Sequence, residues 1–254
     1  MTDSLWTIPI LFLTGAIAGL VDSIAGGGGL ITIPVMLSIG LPPQVTLGTN
    51  KFQASFGSFT AAAYHVHKKN VDLKDAWLGI VCTLIGAAIG TWGVQQIDAQ
   101  ALGKVIPFLL AGILVYTFFT PSLGEVDSAP KLRKNVFYLI MGLALGFYDG
   151  FFGPGVGSFW AIAFVALLGF NLSRATGYTK LMNFVSNIVS LIVFAMGGNV
   201  WPVFAIPMAV GQIVGARLGS GLVVKRGAAF IRPVFVTMVV IMIFKVFYDK
   251  FIAQ

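Results

Sequence analysis

The first half of this chain recurs in its second half, inside a sequence apolar enough to live in a bilayer. Gly15-x-x-x-Gly19-x-x-Asp22-x-x-x-Gly26-x-Gly28 returns as Gly142-x-x-x-Gly146-x-x-Asp149-x-x-x-Gly153-x-Gly155, every position shifted by 127 residues, as from Gly15 to Gly142. Each copy sets a carboxylate among apolar residues and follows it with a glycine-rich break. Interrupted apolar segments at matching points of two halves are the arrangement from which secondary transporters build a substrate site at the bilayer midplane.

Composition decides the solvent. Hydrophobic residues make up 57% of the chain and charged residues 10%, against about 25% charged in a soluble domain. So few charges cannot cover the surface of a soluble protein of this length, and the chain is read as an integral membrane protein. The net charge is +7, but the basic residues lie in short loops between apolar segments, where they orient a membrane protein and do not form a nucleic-acid patch. Cys82 is the only cysteine, so no internal disulfide can form. The start, Met1-Thr2-Asp3-Ser4-Leu5, lacks the basic stretch of a cleaved signal peptide. Leu5–Val21 is therefore read as a retained membrane segment.

Apolar segments fall at about 5–21, 29–40, 46–65, 76–96 and 101–120, then at 135–148, 155–170, 175–196, 200–222 and 228–248. The duplication continues beyond its opening motif. Gly48-Thr49-Asn50-Lys51 matches Gly177-Tyr178-Thr179-Lys180, Gly86-x-x-x-Gly90 matches Gly211-x-x-x-Gly215, and Pro107 matches Pro233. The chain thus reads as an all-α polytopic protein of two repeats, 1–122 and 135–254, joined by a cytoplasmic linker over 123–134. Each repeat holds about five segments, with short broken ones at the glycine-rich loops.

If all ten segments cross, one side receives Lys68, Lys69, Lys74, Lys131, Arg133, Lys134, Arg174, Lys225, Arg226 and Arg232. The other receives Lys104, Lys245 and Lys250. The rich side is then cytoplasmic, both termini face outward, and five crossings per repeat make the halves inverted. The rival is eight crossings, with 29–40 and 155–170 re-entrant. It would put either the Lys68/Lys69 loop or the Lys225/Arg226 loop outside.

The 12 residues of 29–40 make a helix about 18 Å long, short of the roughly 30 Å hydrocarbon core. Gly26, Gly27, Gly28 and Gly29 then lie at membrane depth or bend with their neighbours, and such backbone survives only inside protein or along a wet cavity. Exposed amides ahead of a helix that begins at Leu30 are the ingredients of an anion site. The plainer reading is that these glycines and Gly153, Gly155 and Gly157 allow close helix packing. The duplicated aspartate and the short flanking segments favour function. Asp22 and Asp149 are acidic residues within apolar stretches, so each is a functional candidate, here for proton coupling. Capping of the turn that follows is compatible with that role.

Lys51 and Lys180 open the third segment of each repeat. Lys180, Asn183, Asn187 and Ser190 share a helical face, as do Lys51, Ser55, Ser58 and Ala62. Polar stripes inside a membrane should face a cavity or another helix. With Asn50 they suit a small anion, unless each lysine snorkels to the interface. Arg217, in Gly211-Gln212-x-x-Gly215-Ala216-Arg217, is a candidate ion-pair partner for Asp22 or Asp149, or a substrate ligand. His65 and His67 lie beside Lys68 and Lys69 and read as interfacial, with no metal site. No Gly-Lys-Ser/Thr follows Gly26–Gly29 and Gly153–Gly157 lacks a βαβ context, so neither ATP nor a dinucleotide cofactor is indicated. No Gly-x-Ser-x-Gly or His-Glu-x-x-His appears, which disfavours an intramembrane enzyme.

At Asp22-Ser-Ile-Ala-Gly26-Gly-Gly-Gly29-Leu-Ile-Thr-Ile-Pro34, at Gly48-Thr-Asn-Lys51 and at the degenerate copy from Gly146 to Gly157, the chain resembles the TauE/SafE sulfite-exporter-like family, closest to its YfcA-like branch. The second copy departs from the glycine-rich pattern at Pro154 and Val156. The resemblance implies transport of small anions, especially sulfite and organosulfonates, across the bacterial inner membrane, often as export. The expected partners are a small anion and the lipid bilayer, with no nucleic acid and no cofactor. Residues and resemblance together read as a secondary transporter driven by the proton gradient or the membrane potential. An anion channel without proton coupling is the alternative.

The ten-span reading makes an expectation of its own. Cysteines placed at Asn70 and at Gly227 in a Cys82-replaced background should both resist an impermeant thiol reagent added outside intact cells. Labelling of just one of them would rule out the five-plus-five arrangement.

Overall fold

The computed structural model of the chain describes residues 7–25, 27–119 and 128–226. Its elements are helices: α1 (Thr7–Ala25), α2 (Gly29–Ser38), α3 (Pro43–His67), α4 (Leu73–Gln95), α5 (Ala99–Phe119), α6 (Lys134–Phe151), α7 (Val156–Leu168), α8 (Leu172–Met196) and α9 (Pro202–Arg226). No strand occurs among the described residues. Gly26, the first part of the linker, and the expected segment 228–248 with the loop before it lie outside them.

Each of the first nine expected segments coincides with a helix, and the differences have local causes. α3 starts at Pro43, because proline at the first helical position gives up an amide that has no acceptor there anyway. α8 starts at Leu172, because the Asn171 side chain accepts from the Arg174 amide at 2.9 Å and caps it. α6 runs past 148 to Phe151, so Asp149 sits in a helical last turn. Asp22 likewise lies in the last turn of α1. A carboxylate at a helix C-terminus opposes the helix dipole, so each needs a cation from elsewhere.

Polarity is distributed inside out. On α3, Thr46, Thr49, Asn50, Lys51, Gln53, Ser55 and Ser58 are all buried. On α4, Trp77, Val81, Leu84, Ile85, Ile89 and Trp92 form an exposed apolar stripe. That is the pattern expected where lipid is the outer solvent and polar groups must be satisfied internally. α4, α8 and the Pro202–Gly219 part of α9 are long and apolar enough to cross a membrane. α2 and α7, with 10 and 13 residues, are shorter.

Two tight helix pairs frame the molecule, both joined through glycine. A Cβ on Gly15 of α1 would lie 2.1 Å from the Met208 carbonyl oxygen of α9, and one on Gly215 would lie 1.9 Å from that of Ala16. A Cβ on Gly90 of α4 would lie 2.1 Å from the Phe147 oxygen of α6, and one on Gly150 would lie 2.1 Å from that of Ala87. The Gly-x-x-x-Gly steps thus let backbones touch. In both pairs the contacts advance together along the two sequences, so the helices run parallel.

Between the pairs, α3 packs on α8 in the opposite sense. Gly48 meets Asn199 just beyond α8, the Phe59 and Phe184 rings are 5.3 Å apart, and Gly177 meets His65 near the end of α3. Starts of helices gather accordingly. Asp75 accepts from Lys134 and, at 3.0 Å, from the Tyr178 hydroxyl, joining the beginnings of α4, α6 and α8. Leu11, Val45 and Phe204 share a cluster that joins the beginnings of α1, α3 and α9. Exchanging the repeats turns one set into the other. It also turns α1·α9 into α6·α4 and α3·α9 into α8·α4.

Glycine contacts this close admit no side chain. Gly150→Leu should cost about 1–3 kcal/mol or more through overpacking, read as a lower thermal midpoint in detergent. Gly93→Ala, which meets open space on the same α4, should be neutral or slightly stabilising. Equal stability of the two variants would contradict the packing described.

Candidate functional site

The site grows from the ends of α1 and α6. After Ala25 the chain turns with Gly27 at φ 144°, and after Phe151 it turns with Gly153 at 98° and Gly155 at 81°, conformations that favour glycine. Asp22 stabilises the first turn by accepting from the Gly27 amide at 3.0 Å and, more weakly, from Gly28 at 3.4 Å. The second turn is held differently, by the Tyr148 hydroxyl donating to the Pro154 carbonyl at 2.6 Å. The two turns abut, since a Cβ on Gly29 would lie 3.2 Å from Pro154 Cγ.

Two ion pairs cross between the repeats. Lys51 of α3 donates to Asp149 Oδ1 of α6 at 2.5 Å, with both side chains sealed from the exterior. Lys180 of α8 donates to the Asp22 carbonyl oxygen of α1 and lies 3.6 Å from Asp22 Oδ2. Each lysine supplies the cation that the aspartate at its helix end requires. Neither snorkels, for Lys51 and Lys180 are 1% and 2% exposed. The pairs are unequal. Asp149 also accepts from the Ser186 hydroxyl, where the first repeat has Gly57 at the matching position. The Asp22 side chain is 20% exposed and its carboxylate is held less closely.

Between the pairs lies a cavity of about 30 Å³. Its wall is formed by Asp22, Gly27, Gly28, Gly29, Asn50, Lys51, Gln53, Ala54, Asp149, Gly153, Pro154, Gly155, Val156, Gly157, Asn183, Asn187 and Gln212. One water needs about 10–15 Å³ by this measure, so this conformation is nearly closed. Thr32 donates to Asn50 Oδ1 at 2.6 Å, and Gln53 Nε2 donates to the same oxygen at 2.9 Å. Thr91 of α4 bonds Ser190 of α8 at 2.8 Å and the Gly150 carbonyl at 3.0 Å, which fixes the end of α6. The Gln53, Asn183 and Gln212 side-chain oxygens are buried without a hydrogen-bond partner among the described residues. No group of three or more His, Cys, Asp and Glu residues placed to hold a metal occurs among them either.

The structure therefore brings together Asp22, Gly27, Gly28, Gly29, Asn50, Lys51, Asp149, Gly153, Gly155, Gly157, Asn183 and Asn187. Gly26 lies outside the described residues. Lys180 touches Asp22 without lining the cavity. The expected pairing of Arg217 with Asp22 or Asp149 is corrected: both carboxylates are taken by lysines. Arg217 is exposed, on a face of α9 turned away from the Gly215 and Gly219 contact with α1. Sequence reasoning missed Gln53, Gln212 and Ser186. Gln53 follows Asn50 by one helical step, and Gln212 is an amide within an apolar helix, which was a readable signal. Nothing in the sequence marks Ser186.

Residues 11–246 match the family described as "Sulfite exporter TauE/SafE". The chain belongs to the TauE/SafE family. It is 46% identical over 244 residues to a probable membrane transporter protein of Haemophilus influenzae, covering 96% of this chain and 95% of that one. It is 45% identical over 241 residues to the probable membrane transporter protein YfcA of Escherichia coli K12, covering 95% and 90%. A probable membrane transporter protein of a Sinorhizobium species is 41% identical over 229 residues, covering 90% and 88%. No solved structure matches it. This TauE/SafE protein is a transmembrane transporter, in agreement with its apolar helices.

The tighter pair should matter more for folding. Removing one partner of a buried pair strands the other charge and costs roughly 3–5 kcal/mol. Asp149→Ala should therefore destabilise strongly, and Asp22→Ala, with its more exposed carboxylate, less. The double variant Lys51→Met/Asp149→Leu should recover most of the loss. Thermal unfolding in detergent measures all three, and a double variant as unstable as Asp149→Ala would refute the pairing.

Proposed function

We propose that this TauE/SafE protein is a secondary transporter, acting as an exporter, of small anions such as sulfite or organosulfonates across the bacterial inner membrane. The observation that carries the reading is the cavity itself. A lysine, the two glycine turns and five side-chain amides meet there between two short helices, and helix N-termini favour anions. The family's description supports sulfite as the type substrate.

The proposed architecture is two inverted repeats. Matching helices α3 and α8 run antiparallel, and the beginnings of the two sets of helices lie at opposite ends. Lys68, Lys74, Lys134 and Arg174 follow or begin helices at one of these ends, which is the cytoplasmic end by the distribution of basic loops. The Lys180–Asp22 pair then lies on the cytoplasmic side of the cavity and the Lys51–Asp149 pair on the outer side. Alternating access consists of loosening one pair while the other stays closed.

Charge counting favours the proton gradient as the driving force. Asp22, Asp149, Lys51 and Lys180 sum to zero. An added anion would leave a net negative charge in a water-poor interior, which is costly, unless a proton enters with it. Asp22 and Asp149 are the carboxylates placed to carry that proton.

Proteoliposomes loaded with labelled sulfite, with and without an imposed pH gradient, test the reading. Flux should rise with the gradient, and a channel would instead pass the anion without proton movement. Lys180→Gln, in the more exposed pair, should lower transport at least severalfold while the protein still inserts and purifies. Lys51→Gln should lower transport as much and, by stranding Asp149, also lower thermal stability. Asp22→Asn should remove pH dependence more than affinity. Wild-type transport in the double Lys51→Gln/Lys180→Gln variant would sink the proposal.

A further inference from the structure

The charged frame of the cavity is duplicated, but its amides are not. Gln53, Asn183 and Gln212 occupy positions matched in the other repeat by Met182, Ala54 and Ala87. Whatever these amides do is separate from the lysine–aspartate exchange that the two halves share. All three are buried, at 0%, 4% and 1% exposure, and all three line the cavity. Asn183 and Gln212 make no side-chain hydrogen bond among the described residues, and the oxygens of all three lack partners.

An amide presents one acceptor end and one donor end whichever way it is turned. A buried acceptor without a hydrogen costs stability, and more so facing a negative charge. A bare oxyanion brings acceptors alone. It can take hydrogens from Lys51 and from the amide nitrogens, yet it leaves the three oxygens unsatisfied. An oxyanion that keeps a hydrogen can also donate it to one of those oxygens, while its bare oxygens accept from Lys51 and the amide nitrogens.

Resting on the anion-transport reading above, we infer that the substrate is a small hydrogen-bearing oxyanion, and that its hydrogen is accepted by an amide oxygen of the Gln53, Asn183 and Gln212 set. For sulfite this means that hydrogensulfite, and not the fully deprotonated dianion, is the transported form, and an organosulfonate fits only where the rest of the molecule carries the donor hydrogen. Lys51 and the glycine turns hold the charged edge of the anion, and the amides hold its O–H or other donor edge. Specificity of this kind is strong, because a site built to hydrogen-bond a group rejects the analogue that lacks it.

Matched anions test the inference at a single pH without any mutation. Bicarbonate and nitrate are both planar monoanions of similar size, and bicarbonate carries the hydrogen. Hydrogenphosphate and sulfate are a tetrahedral pair related in the same way. Binding of each anion to the purified wild-type protein is measured by calorimetry and by competition against labelled sulfite. Bicarbonate should bind at least tenfold tighter than nitrate, and hydrogenphosphate at least tenfold tighter than sulfate. In Asn183→Leu/Gln212→Met the gap within each pair should shrink to about twofold.

Equal binding within the pairs in the wild-type protein would overturn the inference and leave anion transport standing. The cavity amides would then be satisfied by water alone. Failure of every anion, sulfite included, to bind would overturn the transport reading and this inference with it. If the double variant does not purify, the wild-type comparison decides alone.

Discussion

Everything at the centre of this protein depends on two ion pairs formed between its halves. A lysine from each repeat neutralises an aspartate of the other, Lys51 with Asp149 and Lys180 with Asp22. Each aspartate sits in the last turn of its helix, where the dipole disfavours it, and each lysine is buried in the middle of the molecule. No single repeat can satisfy its own charges, so the halves must dock. Buried pairs of this kind add little net stability, because desolvation offsets attraction. What they impose is register: α3 against α8, and the end of α1 and the end of α6 against both.

The rest of the fold allows those pairs to meet. Backbone contact at Gly15, Gly19, Gly211 and Gly215 draws α1 onto α9, and Gly86, Gly90, Gly146 and Gly150 draw α4 onto α6. With the outer helices so close, the polar faces of α3 and α8 are left facing inward. Apolar side chains such as Trp77, Ile89, Ile206 and Leu218 stay on the outside, where lipid is a suitable solvent for them. In lipid, helix association relies on such packing more than on the hydrophobic effect, which explains the dense use of glycine.

The two halves differ around the cavity. Ser186 clamps Asp149, while Gly57 stands at the corresponding place for Asp22 and leaves room for Gln212. One glycine turn is capped by a carboxylate and the other is held by Tyr148. Around a charge-neutral, duplicated frame, Gln53, Asn183 and Gln212 are lining amides with no amide at the matching position of the other repeat.

Much of this was legible in the sequence because it is periodic or local. The repeat at Asp22 and Asp149, the short segments after the glycines, and the polar stripes beginning at Lys51 and Lys180 all follow from spacing along one strand of chain. The helix boundaries followed within a few residues, with α1 and α6 both running on so that Asp22 and Asp149 fall in helical last turns. Partner choice was not legible. The pairing of Lys51 with Asp149 spans 98 residues, and no spacing rule distinguishes it from the Arg217 pairing that the sequence also allowed. Gln53 and Gln212 became site residues only when α3 and α9 met. Spacing along the chain determined which groups are polar, buried and duplicated. Only the tertiary structure decided which of them touch, because burying a charge is tolerable solely where packing delivers its opposite.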